Sequence, residues 1–175
     1  MKRKTAGPPR ERRAAEEEDL FREPGTTGLE GVLVRELTRD DLAAAVRVDT
    51  RVTGRSRREY LERKIDEAMR DTGIRMSLAA ETEGTFAGFL LARLYYGEFG
   101  VPEPFAIVDT IGVDPDLQGR RVGTALLSQL EANLKGIGIE TIRTAVEWKQ
   151  LPMIGFFASH GFRPAPVICL EKKIE

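Results

Sequence analysis

One stretch of the chain, residues 109 to 127 (DTIGVDPDLQGRRVGTALL), constrains the fold more than any other. Its apolar run ends at Val113, and the strand cannot continue, because Pro115 has no N–H to donate and biases Asp114 away from the helical conformation. A loop with two glycines and two arginines follows, and apolar residues at helical spacing come after it. The stretch therefore predicts a strand, a Gly/Arg loop and a helix. Such a loop aims the free N–H groups of a helix N-terminus at one point, where an anion such as phosphate can bind.

Two common phosphate-binding motifs do not fit this loop. A P-loop needs G-x-x-x-x-G-K-[ST], whereas Gly119 and Gly123 lie too close together and no lysine precedes the threonine. The Rossmann pattern G-x-G-x-x-G is absent as well. Backbone N–H groups from about 118 to 124 could still converge on phosphate oxygens, with charge-assisted contacts from Arg120 and Arg121. The residues alone leave two interpretations open, an anion site and an ordinary loop with solvated arginines.

The rest of the chain predicts a three-layer α/β fold with a mixed, mostly antiparallel sheet and helices on both faces. Capping residues at 38–41 and 56–59 begin the first two helices, and the turn 81–84 joins a β-hairpin. A crossover helix joins the strands on either side of it, so these two strands should be parallel. The predicted elements are strands near 32–35, 76–80, 85–96, 105–113, 141–146 and 167–174, and helices ending near 49, Gly73, 135 and 159.

Composition limits the classes of protein that the chain can be. It has 175 residues with a net charge of −1, which argues against a nucleic-acid partner, and no apolar run reaches membrane-spanning length. One cysteine excludes an internal disulfide and suits the cytoplasm, and one histidine disfavours a histidine-based metal site. Residues 1–30 carry many charges and few large apolar side chains, which predicts a flexible extension before a domain at 31–175.

The stretch 109–127 resembles motif A of the GNAT family of N-acetyltransferases, in which a strand ending in V-x-P leads into [QR]-x-x-G-x-[GA]. The segment 150–162 (QLPMIGFFASHGF) resembles motif B of the same family, and the predicted order of elements resembles its fold from about Gly31 onward. The matching positions of motif A are Val113, Pro115, Gln118, Gly123 and the apolar residues 125–127.

The resemblance implies acetyl-CoA as co-substrate and direct transfer of its acetyl group to a primary amine of a small molecule or protein. The pyrophosphate would lie on the backbone N–H groups of the loop, and the pantetheine would pair with the edge of the strand, where a backbone N–H polarises the acetyl carbonyl. Dimerisation through C-terminal strands is common in the family, which makes a homodimer an open prediction. The implied cofactor-binding residues are Ile111, Gly112, Val113, Gln118, Gly119, Arg120, Arg121, Val122, Gly123 and Thr124.

Two positions depart from the family pattern. Arg121 stands where the pattern has a glycine, so its side chain should point outward or clasp the phosphates. Phe157 stands where a tyrosine often protonates the leaving thiolate, and it should pack beside the pantetheine, as a further cofactor-binding residue, or in the core. Both departures motivate an alternative, a non-catalytic module that binds acyl-CoA.

A carboxylate acting through water could remove the proton from the acceptor amine. Asp109 is an acid within an apolar strand, and Tyr96 ends the preceding strand, so we predict these two as the catalytic residues. Asp109 could instead be a hydrogen-bonded structural residue, and both could bind the acceptor. Of Tyr95 and Tyr96, one should face the cleft.

Other side chains have two interpretations or a structural one. Arginines near the loop 50–56 either attract an acidic acceptor or form a solvated face. Trp148 should pack near the acceptor or in the core, His160 should lie on the surface or cap a helix, and Cys169 should be a small buried residue in the last strand. Further acids near the cleft are Glu98, Glu103 and Glu147.

Overall fold

The computed structural model describes residues 31–70, 76–96 and 102–174. The predicted extension 1–30, Gly73 and Glu98 lie outside these residues. Every helix in the described ranges is too short or too polar to cross a membrane. The elements are β1 (Leu33–Glu36), α1 (Leu42–Thr53), α2 (Arg58–Arg70), β2 (Leu78–Thr82), β3 (Thr85–Tyr95), β4 (Phe105–Val113), α3 (Val122–Gly136), β5 (Ile142–Thr144) and α4 (Leu151–Ser159).

The strands form one five-stranded sheet in the order β1-β2-β3-β4-β5. The first four strands are antiparallel to their neighbours, and β5 is parallel to β4, as the crossover by α3 requires. Glu83 and Gly84 connect β2 to β3 with φ angles of 53° and 71°, which suits a tight hairpin turn. The predicted α/β fold class is confirmed.

Helices cover both faces of the sheet, so β3 is buried on both sides and its sequence is almost continuously apolar. Leu90 and Ala92 of β3 face the core formed with α3 and α4, and Phe89 and Leu91 face the core formed with α1 and α2. The sheet is therefore the middle of three layers, as predicted.

The predicted capping box at Thr38 ties the start of α1 to β1. The carboxylate of Asp41 accepts from the backbone N–H of Thr38 at 2.8 Å, and Arg35 of β1 donates to both of its oxygens at 2.8 and 2.7 Å. Burial alone would raise the pKa of Asp41, but the hydrogen bonds from Arg35 and Thr38 outweigh burial and hold this pKa below its usual range.

The predicted closing strand at 167–174 is wrong, because this segment is neither strand nor helix. Its apolar pattern satisfies the local preference of a strand, but a strand also needs a partner, and β5 pairs within the described residues only with β4. Cys169 lies in the same segment and is exposed, so its predicted burial is wrong too. The large apolar side chains here are 58 to 93% exposed, namely Val167, Ile168, Leu170 and Ile174.

Candidate active site

The two parallel strands, β4 and β5, separate halfway along β4. Residues 106–108 of β4 pair with 142–144 of β5, and Thr144 at the end of β5 donates its hydroxyl to the carbonyl of Val108 at 3.0 Å. β4 continues to Val113, and no described strand pairs with this part on the β5 side. The unpaired backbone groups of this open edge, residues 109–113, can pair with an extended ligand.

A β-bulge at Asp109 marks the start of the open edge. Leu91 of β3 lies opposite Thr110 and Ala92 lies opposite Val108, which leaves Asp109 as the extra residue. A bulge bends its strand and redirects a side chain, which explains how an acid is accommodated in so apolar a strand. Thr110, the next residue, contacts the hydroxyl of Tyr60 of α2 at 2.9 Å.

The Gly/Arg loop lies at the carboxyl end of the open edge. The Asp114 carboxylate accepts from the N–H of Asp116 at 3.0 Å and begins a 3₁₀ turn over Pro115–Leu117. Residues 118–121 are exposed, and α3 begins directly after them. The first N–H groups of a helix have no partner within it, and the helix dipole favours an anion there. The loop can therefore hold a phosphate next to a ligand on the open edge.

Arg121 stands where the family pattern has a glycine and takes a backbone conformation that favours glycine. Its φ of 62° and ψ of 14° lie in the left-handed region, which costs a residue with a β-carbon about 1–2 kcal/mol. Gly119, two residues earlier, has a φ of 80°. The Arg121 side chain is exposed, so it leaves the loop open to a ligand.

Helix α4 rests on the first turn of α3. A β-carbon at Gly123 would lie 3.0 Å from the ring of Phe156, so a glycine permits this close approach. His160 at the end of α4 contacts the Phe156 carbonyl at 2.8 Å and the Thr124 hydroxyl at 3.0 Å, which confirms its predicted capping role. Phe157 is 5% exposed in the core, the second of its two predicted positions, and leaves little of its ring for a ligand.

The side chains of the other predicted cofactor residues differ in how accessible they are. Val122 is buried in the core, so only its backbone faces the loop. Gly112 is buried as well, and a β-carbon there would lie 2.8 Å from the Phe89 ring. Ile111 and Val113 are half-buried on the open edge.

Two of the arginines around the loop 50–56 bind carboxylates of the protein itself. Arg51 donates to Asp114 at 2.5 Å and to Asp116 at 3.0 Å, and so connects α1 to the Gly/Arg loop. Arg57 binds both oxygens of the buried Asp49. Arg51 is exposed, in agreement with a solvated face, whereas Arg57 is half-buried against Asp49 and fits neither interpretation.

A cavity of about 310 Å³ lies on the α2 side of the sheet, beside the bulge, and brings the two predicted catalytic residues together. Tyr96 is exposed at its mouth and Asp109 lines its wall. Tyr95 stacks on Phe105 with the ring centroids 5.7 Å apart, so one tyrosine of the pair lines the cavity, as predicted. The remaining described lining residues are Lys64, Glu67, Ala68, Met76, Ser77, Leu91, Ala92, Arg93 and Leu94.

Two cations that the sequence analysis missed bind Asp109 in this cavity. Arg93 lies 3.1 Å and Lys64 lies 3.4 Å from its Oδ2 atom. Lys64 also contacts Glu67 at 3.2 Å, and this hydrogen bond holds the pKa of Glu67 below its usual range. Lys64 sits 45 positions before Asp109 in the chain, and no short motif links residues so far apart. The only sequence signal for this contact would have been the helical period of α2, which places Lys64 on the side of the helix that faces the bulge on β4.

The loop that follows β5 is mostly exposed. Trp148 is 89% exposed, so its predicted core packing is wrong. Glu147 binds Lys149 at 3.0 Å in the same loop, and Glu103 is exposed before β4. None of these residues lines the cavity beside Asp109.

A parallel strand pair that opens beside a glycine-containing loop and a helix N-terminus is suited to an extended, phosphate-bearing ligand. Residues 38–162 match the sequence model of the Acetyltransferase (GNAT) family, and the chain belongs to this family. The predicted family is confirmed, and it places the chain among the acetyltransferases.

Related proteins agree in fold and differ in what they act on. The chain is 28% identical over 143 residues to a mycothiol acetyltransferase of Clavibacter michiganensis, covering 78% of this chain and 44% of that protein. It therefore spans less than half the length of this relative. A transcriptional regulator from Bacillus halodurans superimposes with a TM-score of 0.69 at 19% identity, covering 82% of this chain and 99% of the other. The aminoglycoside N-acetyltransferase AAC(6')-Iy in complex with CoA gives a TM-score of 0.68 at 14% identity, covering 81% and 94%.

Proposed function

We propose that this chain is an acetyl-CoA-dependent N-acetyltransferase that moves the acetyl group directly to a primary amine of a small molecule or protein. The observation that carries the proposal is the open edge of β4, which leads straight into the Gly/Arg loop at the N-terminus of α3. Direct transfer suits a protein that can hold a thioester and an amine on either side of one bulged strand. We further propose a cytoplasmic location, on the evidence of the single cysteine, and we leave a homodimer as a prediction.

The Gly/Arg loop and the open edge would both bind acetyl-CoA, which supplies an activated thioester. Backbone N–H groups of residues 118–124 would bind the pyrophosphate, with Arg120 and Arg121 adding charge. The open edge at 111–113 would pair with the pantetheine, and one of its N–H groups would stabilise negative charge on the carbonyl oxygen. Phe157 would support α4 from the core.

The acceptor would enter from the cavity on the α2 side, next to Asp109. Its nitrogen attacks the acetyl carbon, the carbon–sulfur bond breaks, and CoA leaves as a thiolate. A water molecule would pass the proton of the amine to Asp109, and Tyr96 at the cavity mouth would orient the acceptor. Since Phe157 has no proton to give, the thiolate would leave without a dedicated acid from α4 and take its proton from solvent.

Release of free thiol from acetyl-CoA in the presence of a panel of amines tests the proposal. The first acceptors to try are aminoglycosides, for which several of the structural neighbours are named. We expect amine-dependent thiol release, together with a higher Tm when CoA is added. Stabilisation by CoA without thiol release from any amine would favour the alternative, a non-catalytic acyl-CoA-binding module.

A variant separates catalysis from binding. We expect Asp109→Asn to lower kcat by about 10²–10⁴-fold, the usual contribution of general base catalysis, with little change in the Kd of acetyl-CoA. Thr144→Ser is the matched control, since its hydroxyl can still donate to Val108. An unchanged kcat in Asp109→Asn would assign Asp109 a structural role.

A further inference from the structure

Four charged side chains of alternating sign surround the cavity beside Asp109. Lys64 lies between Asp109, at 3.4 Å, and Glu67, at 3.2 Å. Arg93 lies between the same two carboxylates, at 3.1 Å from Asp109 and 3.9 Å from Glu67. The described lining contains no other charged residue, so the two cations and two carboxylates cancel.

This balance of charges restricts which amines the cavity suits. A polycation would bring positive charge against Lys64 and Arg93, and like charges at close range oppose binding. An amine without a second charge would compete for Asp109 and leave a cation without its partner. A dipolar molecule can offer an amine to a carboxylate and a carboxylate to a cation, and so replaces each contact that it breaks.

The position of the carboxylates and the accessibility of the cations set a direction for such a molecule. Asp109 stands at the bulge beside the open edge with its side chain 16% exposed, whereas the Glu67 side chain is 43% exposed. Of the two cations, Lys64 is 14% exposed and Arg93 is 40% exposed. The amine would therefore point inward to Asp109, beside the open edge, and the carboxylate outward to Arg93, the more accessible cation. The remaining lining is mostly apolar, with Ala68, Met76 and Leu94 among its members, which suits a small apolar substituent.

We propose that the acceptor is a small dipolar amine of the amino-acid type, selected through its carboxylate by Arg93 and Lys64. The inference rests on the proposed function, because it names the substrate class of that same site. Arg93 is then a specificity-determining residue, and its loss should affect acceptors with a carboxylate far more than acceptors without one.

Thiol release from acetyl-CoA with matched acceptors tests the inference. Alanine, leucine, methionine and phenylalanine are each compared with their amides and their decarboxylated amines, and spermidine and an aminoglycoside represent polycations. We expect kcat/KM for the best amino acid to exceed that of its amide and its amine at least tenfold, with the polycations lower still. Mass spectrometry of the product confirms that the acetyl group is on nitrogen.

Substitutions of the two cations test whether the cavity causes the preference for acceptors with a carboxylate. Arg93→Met should bring the ratio of kcat/KM between amino acid and amide close to one, and Lys64→Met gives a second reading if the first variant does not fold. Arg39→Met is the matched control, since Arg39 binds Asp66 of α2 at 3.0 Å outside the cavity, and it should keep the full ratio.

The outcomes distinguish the inference from the function on which it rests. Turnover of polycations, amides or simple amines as fast as amino acids, or an unchanged ratio in folded Arg93→Met and Lys64→Met, overturns the inference and leaves the N-acetyltransferase standing. Absence of thiol release with every amine overturns both.

Discussion

Replacing Arg121 by glycine should make the protein more stable and bind acetyl-CoA less well. The φ of 62° at Arg121 costs about 1–2 kcal/mol, which a glycine avoids. Glycine in turn loses about 0.5–1 kcal/mol through the greater freedom of the unfolded chain. The net gain lies between about 0 and 1.5 kcal/mol, and its midpoint of about 0.75 kcal/mol raises the Tm of a chain of this length by about 1.5–3 °C.

The loss of affinity in Arg121→Gly follows from the proposed phosphate contact. A hydrogen bond to a charged group contributes about 1.5–3 kcal/mol, and exposure of the arginine places it at the low end of this range. We therefore expect the Kd of acetyl-CoA to rise roughly tenfold, since about 1.4 kcal/mol corresponds to a factor of ten. Isothermal titration at two salt concentrations measures this change, and the difference from wild type should shrink at high salt.

Arg121→Ala is the matched control, because alanine removes the same side chain but keeps the β-carbon in the left-handed conformation. It should lose affinity as Arg121→Gly does without the rise in Tm. Wild-type affinity in both variants would refute a phosphate contact by Arg121. Equal Tm values for the two variants would refute the strained conformation of the loop.

Three further predictions concern stability. Gly88→Ala should destabilise the fold by about 1–3 kcal/mol, since its β-carbon would lie 2.6 Å from the carbonyl oxygen of Gly112 on the neighbouring strand. A β-carbon at Gly155 on α4 would have no other atom within 4 Å, so Gly155→Ala should stabilise the fold by about 0.5–1 kcal/mol. Urea unfolding that finds Gly88→Ala more stable than Gly155→Ala contradicts this packing. Asp41→Asn should cost about 1.5–3 kcal/mol at pH 7, because it weakens the bonds from Arg35. Folding lowers the pKa of Asp41, so the stability that its carboxylate contributes is present above the unfolded pKa of about 3.9 and is lost as the pH falls through the folded pKa. If the difference in the free energy of unfolding between wild type and Asp41→Asn stays constant below pH 4, this argues against the ion pair.

The parts of the fold that the sequence predicted correctly depend on local signals. Thr38 and Asp41 form the expected capping box, and the turn at Glu83 and Gly84 joins the expected hairpin. Helix α3 ends at Gly136, and α4 ends before Gly161, which has a φ of 84°. Each of these features is decided by residues within a few positions of one another, so a single sequence is enough to predict them.

The features that the sequence did not predict depend on residues that are far apart in the chain. The segment 167–174 has the composition of a strand, but whether it forms one depends on an available edge. The pairing of Lys64 and Arg93 with Asp109 needs the alignment of α2, β3 and β4, which no local pattern encodes. At Arg121 the motif predicted the loop correctly although the local preference is against it, since an arginine is unfavourable at a positive φ.

A crystal structure of the protein with CoA bound tests the proposed cofactor site. We expect the pyrophosphate on the backbone N–H groups of residues 118–124 and the pantetheine paired with the open edge of β4 at 111–113, with the thiol beside the bulge at Asp109. CoA bound at another surface, or a loop that stays empty at saturating CoA, would contradict the proposed site.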